Sequence, residues 1–159
     1  MLLSEAIYLF RLAEGAQADL SQHYLAIELN DHSKNLLKNH FDPNEKGFNV
    51  DPHHVTLKND LDHETDKRLL SHLGRHVNMR VTHHASRPGL HAVRVVPIGK
   101  HAQSLVTSAG KEHPHVTVAH DPTRAKPVQS NDLLAQGPGV RLPKFIHVGG
   151  TVRLLPKST

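Results

Sequence analysis

Two short segments of the chain repeat one pattern, and this repeat constrains the fold more than any other feature of the sequence. Each copy has a proline turn, then a histidine, a valine, a threonine and an aliphatic residue, and then a stretch of helical character. The copies span residues 52–73 and 114–135. The repeat predicts a single pseudo-symmetric domain in which each of two lobes contributes one such strand.

The order of the expected elements predicts an α+β domain with largely antiparallel sheets, because strands and helices alternate irregularly and short turns join the strands. Strands are expected over residues 24–29, 50–57, 77–82, 90–98 and 115–119, with a hairpin over 142–155 that turns at Gly149-Gly150. Helices are expected over residues 34–41 after an Asn30-Asp31 cap, and over 62–73, 103–109 and 130–135, the last with a Ser130-Asn131 cap. Residues 5–13 fit a helix or a strand equally well.

Length and composition limit the classes of protein to consider. A chain of 159 residues suits one domain, taken as 1–159, and an apolar fraction of 37% allows a modest core. The absence of cysteine excludes disulfides, thiolate zinc sites and cysteine nucleophiles. The first residues lack the basic start and apolar run of a signal peptide, and no segment approaches the roughly 20 apolar residues of a membrane span. We therefore expect a soluble, cytoplasmic protein.

The charge of the chain favours anionic partners such as nucleotides or RNA, since the net charge is +4 with neutral histidines. Sixteen residues are histidine, more than one site can use, so most are expected at the surface. The pair His83-His84 does not predict a metal site, because neighbouring residues on a strand point to opposite faces. No metal or cofactor is therefore expected.

The two His-Val-Thr motifs place reactive side chains on one face of each strand. His54 and Thr56 point one way while the intervening valine points into the core, and the same holds for His115 and Thr117. A third match, at residues 63–65, lies in a charged segment of helical character and is treated as a chance occurrence. If the two strands lie side by side, two imidazoles and two hydroxyls surround one pocket.

Such a pocket is sufficient for phosphodiester cleavage without a metal ion. A neutral histidine takes a proton from the attacking oxygen, and a protonated histidine gives one to the leaving oxygen. Threonine hydroxyls donate hydrogen bonds to the phosphoryl oxygens, where negative charge develops. Lysines and arginines at the rim of the cleft are candidate phosphate ligands, with Lys126 favoured among Lys58, Arg87, Lys100, Arg124 and Lys126.

These motifs resemble those of the 2H phosphoesterases, a family defined by two His-x-Thr/Ser motifs with hydrophobic flanks. Residues 52–57 and 114–118 carry the match, and residues 126–133 (Lys-Pro-Val-Gln-Ser-Asn-Asp-Leu) resemble a stretch of the cyclic phosphodiesterase domain of fungal and plant tRNA ligases. The Gly150-Thr151-Val152 strand is also similar to theirs. The resemblance covers roughly residues 22–155. It implies a two-lobed, LigT-like α+β fold, with antiparallel sheets flanking a central cleft and helices outside.

The resemblance also implies an activity and its residues. His54 and His115 would be the acid–base pair and Thr56 and Thr117 the phosphate ligands, in hydrolysis of a ribose 2′,3′-cyclic phosphate to a 2′-phosphate. The family also contains enzymes that cleave cyclic oligonucleotide signals, some of them from phages, or 2′-5′ oligoadenylate, and the motifs do not separate these substrates. A non-catalytic nucleotide- or RNA-binding module is the alternative of another class. Tyr24 is one of few aromatic side chains available to stack on a base.

Overall fold

A seven-stranded antiparallel sheet organises the part of the chain that the computed structural model describes, residues 17–157. The α+β class is thereby confirmed, whereas the element expected over residues 5–13 lies outside the described residues. The strands are β1 (His23–Leu29), β2 (Asn49–Val50), β3 (His54–Lys58), β4 (His76–Arg87), β5 (Leu90–Pro97), β6 (His115–His120) and β7 (Val140–Pro156). The helices are α1 (Asp31–Phe41), α2 (Lys67–Leu70), α3 (Lys100–Ser108) and α4 (Ser130–Ala135), with 3₁₀ turns at Gln17–Gln22 and Pro127–Gln129.

The order of the strands brings the two ends of the sheet together. It runs β2-β6-β5-β4-β7-β1-β3, so the two edge strands, β2 and β3, are consecutive in the chain. The three residues between them cross from one end of the sheet to the other. The Asp51 amide donates to the Val118 carbonyl of β6 (3.0 Å), and the Leu29 amide of β1 donates to the His53 carbonyl (2.9 Å). This crossing places β3, which carries the first motif, beside β6, which carries the second.

The main hydrophobic core lies on one face of the sheet and takes every second residue of the motif strands. Val55 and Val116 are fully buried there, and the helices α1, α2 and α3 cover them with Leu37, Leu69 and Leu105 respectively. Burial of each such side chain contributes about 1.5–3 kcal/mol to folding. The intervening histidines and threonines are thereby turned to the opposite face, which we call the cleft face.

A smaller apolar cluster covers part of the cleft face. Leu133 and Leu134 of α4 pack over Ala85 and Ala92 of the central strands, whose short side chains leave room for the helix. Ala92 is the cross-strand partner of Thr117, so α4 begins directly beside the second motif. Unlike the other helices, α4 therefore lies on the same side of the sheet as the reactive side chains.

The expectation of a hairpin over residues 142–155 is wrong, because β7 is one strand from Val140 to Pro156. Gly149 and Gly150 lie inside it, with β4 on one side, and Gly150 pairs with Leu29 of β1 on the other. A Cβ atom at Gly150 would overlap the carbonyl oxygen of Glu28 and lie 2.9 Å from Cγ2 of Ile27. Glycine is needed at this position because the two strands approach closely, and close approach of another backbone is a common reason for glycine within a strand.

The expected helix over residues 62–73 is also too long, since the chain forms turns there and a single short helix, α2. Asp62 does cap its segment, because Oδ2 accepts the Thr65 amide (2.8 Å). The cap predicted for α1 is confirmed, with Asn30 Oδ1 accepting the Ser33 amide (2.9 Å). Within residues 17–157, none of the helices is long and apolar enough to cross a membrane.

Candidate active site

The two motifs meet at a cleft of about 480 Å³ between β3 and β6. All four motif side chains predicted to be functional, His54, Thr56, His115 and Thr117, line this cleft. The other residues that line it are Tyr24, Asn49, Asp51, His53, Asn59, Val118, Ala119, His120, Pro127, Val128 and Asn131. The sheet order therefore joins two sequence segments that are about sixty residues apart.

His54 begins β3, and other side chains hold its ring at both nitrogens. The Tyr24 hydroxyl lies 3.2 Å from Nε2, and Nδ1 of His53 lies 3.2 Å from Nδ1. The pKa of His54 is lowered to about 4, chiefly by burial and to a smaller extent by the nearby charges of His53 and His115, which outweigh the raising effect of Asp51 and Glu28. The imidazole of His54 is consequently neutral at pH 7.

His115 begins β6 and is more deeply buried, with 7% of the residue exposed. Its Nδ1 donates a hydrogen bond to the carbonyl oxygen of His113 (2.8 Å), so Nε2 is the nitrogen left for a ligand. Burial lowers the pKa of His115, the hydrogen bond to the His113 carbonyl opposes this by favouring the protonated form, and the charges of Lys111 and His113 lower it again. The two histidines thus differ in surroundings, since a carbonyl stabilises the proton on His115 and no carbonyl contacts the ring of His54 among residues 20–157.

The two threonines also differ. Thr117 Oγ1 lies 2.8 Å from Oγ of Ser130 and 3.4 Å from the Pro127 carbonyl oxygen, so its rotamer is fixed from α4. The expected role of Ser130 as a helix cap is wrong, because Ser130 is the first residue of α4, Gln129 precedes it at the cap position without a side-chain cap, and the buried Ser130 hydroxyl bonds to Thr117 instead. Thr56 is half-buried on β3, and no side chain in the described range hydrogen-bonds to its hydroxyl, which leaves it available to a ligand.

The structure places Lys126 at the surface next to the 3₁₀ turn, where its backbone amide donates to Gln129 Oε1 (2.7 Å) and its side chain is not part of the cleft lining. Lys58 and Arg124, two other rim candidates, are engaged elsewhere. Lys58 Nζ forms an ion pair with Asp66 (2.6 Å), and Arg124 Nε forms one with Asp121 (2.9 Å). These two cations are consequently neutralised by buried or half-buried carboxylates.

Lys111 is a cation that the sequence patterns do not indicate. It is half-buried, its Nζ donates to Oδ1 of Asn131 (3.3 Å), and Asn131 lines the cleft. Burial lowers the pKa of Lys111, and its charge in turn lowers the pKa of His115. A phosphate bound at His115 would therefore have an ammonium group close by. Lys111 lies four residues before His115, and no motif in the sequence marks it as a residue of the site.

The donor set of the cleft does not form a metal site. Among residues 17–157, no three histidine, aspartate or glutamate side chains converge closely enough to hold an ion. His83 and His84 point to opposite faces: His83 lies between Arg94 and Arg141, whereas the ring of His84 packs on Phe41.

Two comparisons with known proteins bear on this site. No protein-family model matches the chain. A search of the curated proteins likewise finds no significant match. What the chain does is therefore inferred from the residues that line its cleft and from the way the sheet brings them together.

Proposed function

We propose that this chain is a metal-independent phosphodiesterase that hydrolyses a ribonucleotide 2′,3′-cyclic phosphate to a 2′-phosphate. The observation that supports this best is that His54 and His115, on strands separated by four others in the sheet order, line one cleft with Thr56 and Thr117. Two imidazoles and two hydroxyls are the groups that acid–base cleavage of a phosphodiester requires.

The proposal includes the two-lobed fold of the 2H phosphoesterases. Counted outward from the middle of the sheet, one half is β4-β5-β6 followed by the short β2, and the other is β7-β1-β3. Each motif strand is thus the third strand from the centre in its half. This equivalence supports the internal repeat expected from residues 52–73 and 114–135.

In the proposed reaction, a water molecule first displaces one of the two partners of neutral His54, the Tyr24 hydroxyl at Nε2 or the His53 ring at Nδ1. The nitrogen so freed takes a proton from the water as the water oxygen bonds to phosphorus. The bond from phosphorus to O3′ breaks, and O3′ takes a proton from the imidazolium form of His115. The products are a 2′-phosphate and a free 3′-hydroxyl, and one proton has been accepted and one donated. His54 is assigned as the base because its pKa of about 4 keeps it neutral. His115 is assigned as the acid because the His113 carbonyl stabilises its Nδ1 proton, which leaves the Nε2 proton for O3′.

The threonines and Lys111 would stabilise the phosphoryl oxygens. Thr56 is free to donate to one oxygen. Thr117 is held in position by Ser130 and would turn its hydroxyl proton from the Pro127 carbonyl to a bound phosphate. A donor aimed at developing negative charge in a water-poor site contributes about 3 kcal/mol to the transition state in the best-studied cases. Lys111 supplies a positive charge on the His115 side of the cleft.

These assignments predict a bell-shaped dependence of kcat/KM on pH with a maximum in mild acid. His54 must be unprotonated, so activity rises as the pH passes about 4, the value to which burial lowers the pKa of His54. His115 must be protonated, and burial lowers its pKa as well, so activity falls at a pH below the ordinary imidazole value of about 6.5. Initial rates on a 2′,3′-cyclic mononucleotide, measured from below the pKa of His54 to above the ordinary imidazole value, define both limbs. A maximum above neutrality would contradict the assignment.

Tyr24 is expected to position His54 rather than react. Replacing Tyr24 by phenylalanine removes the hydroxyl that contacts Nε2 and leaves the ring in place. A neutral hydrogen bond contributes about 1 kcal/mol. If that energy holds the imidazole in its reactive orientation, kcat should fall about fivefold while KM stays near the wild-type value, and the melting temperature should fall by at most about 4 °C. Steady-state kinetics and thermal unfolding on the same preparation check this. A loss as large as that of a histidine variant would instead make Tyr24 part of the chemistry.

The proposed function is tested by assaying the purified protein in EDTA on three substrates in parallel. These are a 2′,3′-cyclic mononucleotide, a 3′-5′ cyclic dinucleotide and a 2′-5′ oligoadenylate. We expect turnover of the first and its loss in His115→Ala. Preference for either of the others would retain the mechanism and change the substrate. Tight binding without turnover of any of them would favour a nucleotide-binding module, and turnover that needs added metal would contradict the mechanism.

A further inference from the structure

A row of basic side chains leads away from His115 across the sheet. Antiparallel pairing sets His115 of β6 opposite Arg94 of β5, Arg94 opposite His83 of β4, and His83 opposite Arg141 of β7. Residues directly opposite each other in a sheet project from the same face, so all four belong to the cleft face. Neighbouring strands lie about 4.8 Å apart, which makes the row about 14 Å long.

The side chains of this row are close together and lack acidic partners. Both Arg94 and Arg141 lie near enough to His83 for their charges to lower its pKa, after the larger effect of burial. Within residues 20–157 neither arginine forms an ion pair. Arg94 is half-buried, and Arg141 is exposed with its guanidinium 5.1 Å from the centre of the Phe145 ring. Uncompensated positive charge held in a row is a feature of surfaces that bind polyanions.

The corresponding row on the other side of the cleft is different in charge. His54 of β3 is opposite Glu28 of β1, which is opposite Thr151 of β7. Glu28 is engaged by Arg153 (3.3 Å) and by His53 (3.7 Å), so this row carries a carboxylate next to the cleft. Positive charge on the His54 side is thus compensated by Glu28, whereas on the His115 side it has no acidic partner among the described residues and attracts a chain of phosphates. Lys111, beside His115, adds to this asymmetry.

We propose that the row Arg94–His83–Arg141 is a binding track for the phosphate backbone of single-stranded RNA whose terminal phosphate lies at His115. This inference rests on the proposed function and narrows its substrate from a mononucleotide to the end of an oligoribonucleotide. A mononucleotide docked at His115 does not reach along a row of this length, whereas an oligonucleotide does. Phe145, next to Arg141, offers an aromatic surface for a base at the far end of the track.

The test compares the double variant Arg94→Gln/Arg141→Gln with the wild-type chain in two measurements. The first is fluorescence anisotropy of a labelled single-stranded oligoribonucleotide of about ten nucleotides, a length in the site-size range of single-strand binders. The second is turnover of a 2′,3′-cyclic mononucleotide. The matched control is Lys38→Gln/Arg68→Gln, which removes the same charge from exposed positions on α1 and α2, behind the opposite face of the sheet.

The double variant is expected to bind the oligonucleotide at least tenfold more weakly in low salt. Loss of two phosphate contacts should also reduce the slope of log affinity against log salt by about 1.4, since each contact on a single strand contributes about 0.7. Mononucleotide turnover should stay within twofold of wild type in the single variant Arg141→Gln, since Arg141 is the residue of the row farthest from His115. The control variant should match wild type in both measurements.

Other outcomes separate this inference from the proposed function. Normal mononucleotide turnover with unchanged oligonucleotide affinity in the double variant would overturn the track and retain the enzyme. Absence of turnover in wild type, with the expected loss of RNA affinity in the double variant, would overturn the enzyme and retain the track. Two results would show general attraction of anions and overturn the track as an RNA site. One is an equal loss of oligonucleotide affinity in the control variant, and the other is displacement of the oligonucleotide by polyglutamate at an equal concentration of charge.

Discussion

Replacing His115 by alanine is expected to lower kcat on a 2′,3′-cyclic phosphate by a factor of about 10² to 10⁴, the contribution of a positioned general acid or base. Without the imidazolium, O3′ has to leave as an alkoxide or take its proton from water. The imidazole is buried and contacts the His113 carbonyl, so the variant also leaves a small cavity, and thermal unfolding has to accompany the kinetics. Single-turnover rates in EDTA measure the loss directly, and binding of a substrate analogue reports whether the pocket survives.

His54→Ala should show a loss of similar size, and the double variant should lose far less than the product of the two. The effects of substituting two residues that act in one chemical step are strongly non-additive, because the reaction that remains after the first substitution no longer uses the second side chain. His101→Ala, at an exposed position of α3, is the matched control and should keep wild-type rates. If both single variants retained more than a tenth of the wild-type rate, the two-histidine mechanism would be excluded.

Gly150→Ala is expected to be the most damaging small substitution in the sheet, lowering the free energy of unfolding by about 3 kcal/mol. The added methyl group would overlap the Glu28 carbonyl and press on Ile27, and β1 cannot retreat because β3 is bonded to its other edge. With a urea m-value of about 2 kcal/mol/M, the midpoint of unfolding should fall by about 1.5 M.

Gly137→Ala is the control for this prediction. Gly137 follows α4, and a Cβ atom there meets nothing within 4 Å, so its midpoint should stay close to that of the wild type. The pairing of Glu28 with His54 gives a second measurement, since a displaced β1 should also move the imidazole proposed as the base and lower kcat. If Gly150→Ala and Gly137→Ala unfolded at the same urea concentration, the close approach of β1 and β7 would not explain the glycine at position 150.

The sequence was sufficient to predict those parts of the site that depend on local alternation. His54 and Thr56 share a face because a strand has a period of two, and this holds whatever the strand pairs with. It was not sufficient for Tyr24 or Lys111, because their approach to the motif histidines depends on strand pairing and on contacts between distant segments. Ser130 was assigned to a helix cap for the same reason, since its partner Thr117 is reached only after α4 packs on the sheet.

The errors in the fold have a comparable origin. Gly149-Gly150 is a strong local signal for a turn. The alternative is that strands approach closely on both sides of the glycines, and this could be predicted only if the position of β7 between β4 and β1 were known. Asp62 caps a turn and not the expected helix, because Asp66 turns inward to accept the Lys58 ammonium and the Asp62 amide. Burial of that carboxylate favours turns in place of the first part of the regular helix.

The position of β7 in the sheet also determines when the cleft can form during synthesis and folding. β1 is the first strand of the described chain, and its partner β7 is the last, with His23 opposite Pro156. Until β7 is made, β1 with β3 and β4 with β5 and β6 are joined only through the short β2 and the crossing at residues 51–53, and each group has an apolar face open to water. Pairing between strands far apart in the sequence is slow, and the apolar faces stay exposed to aggregation until it is complete. Nascent chains of this protein should therefore depend on chaperones more than nascent chains of a helical protein of equal size.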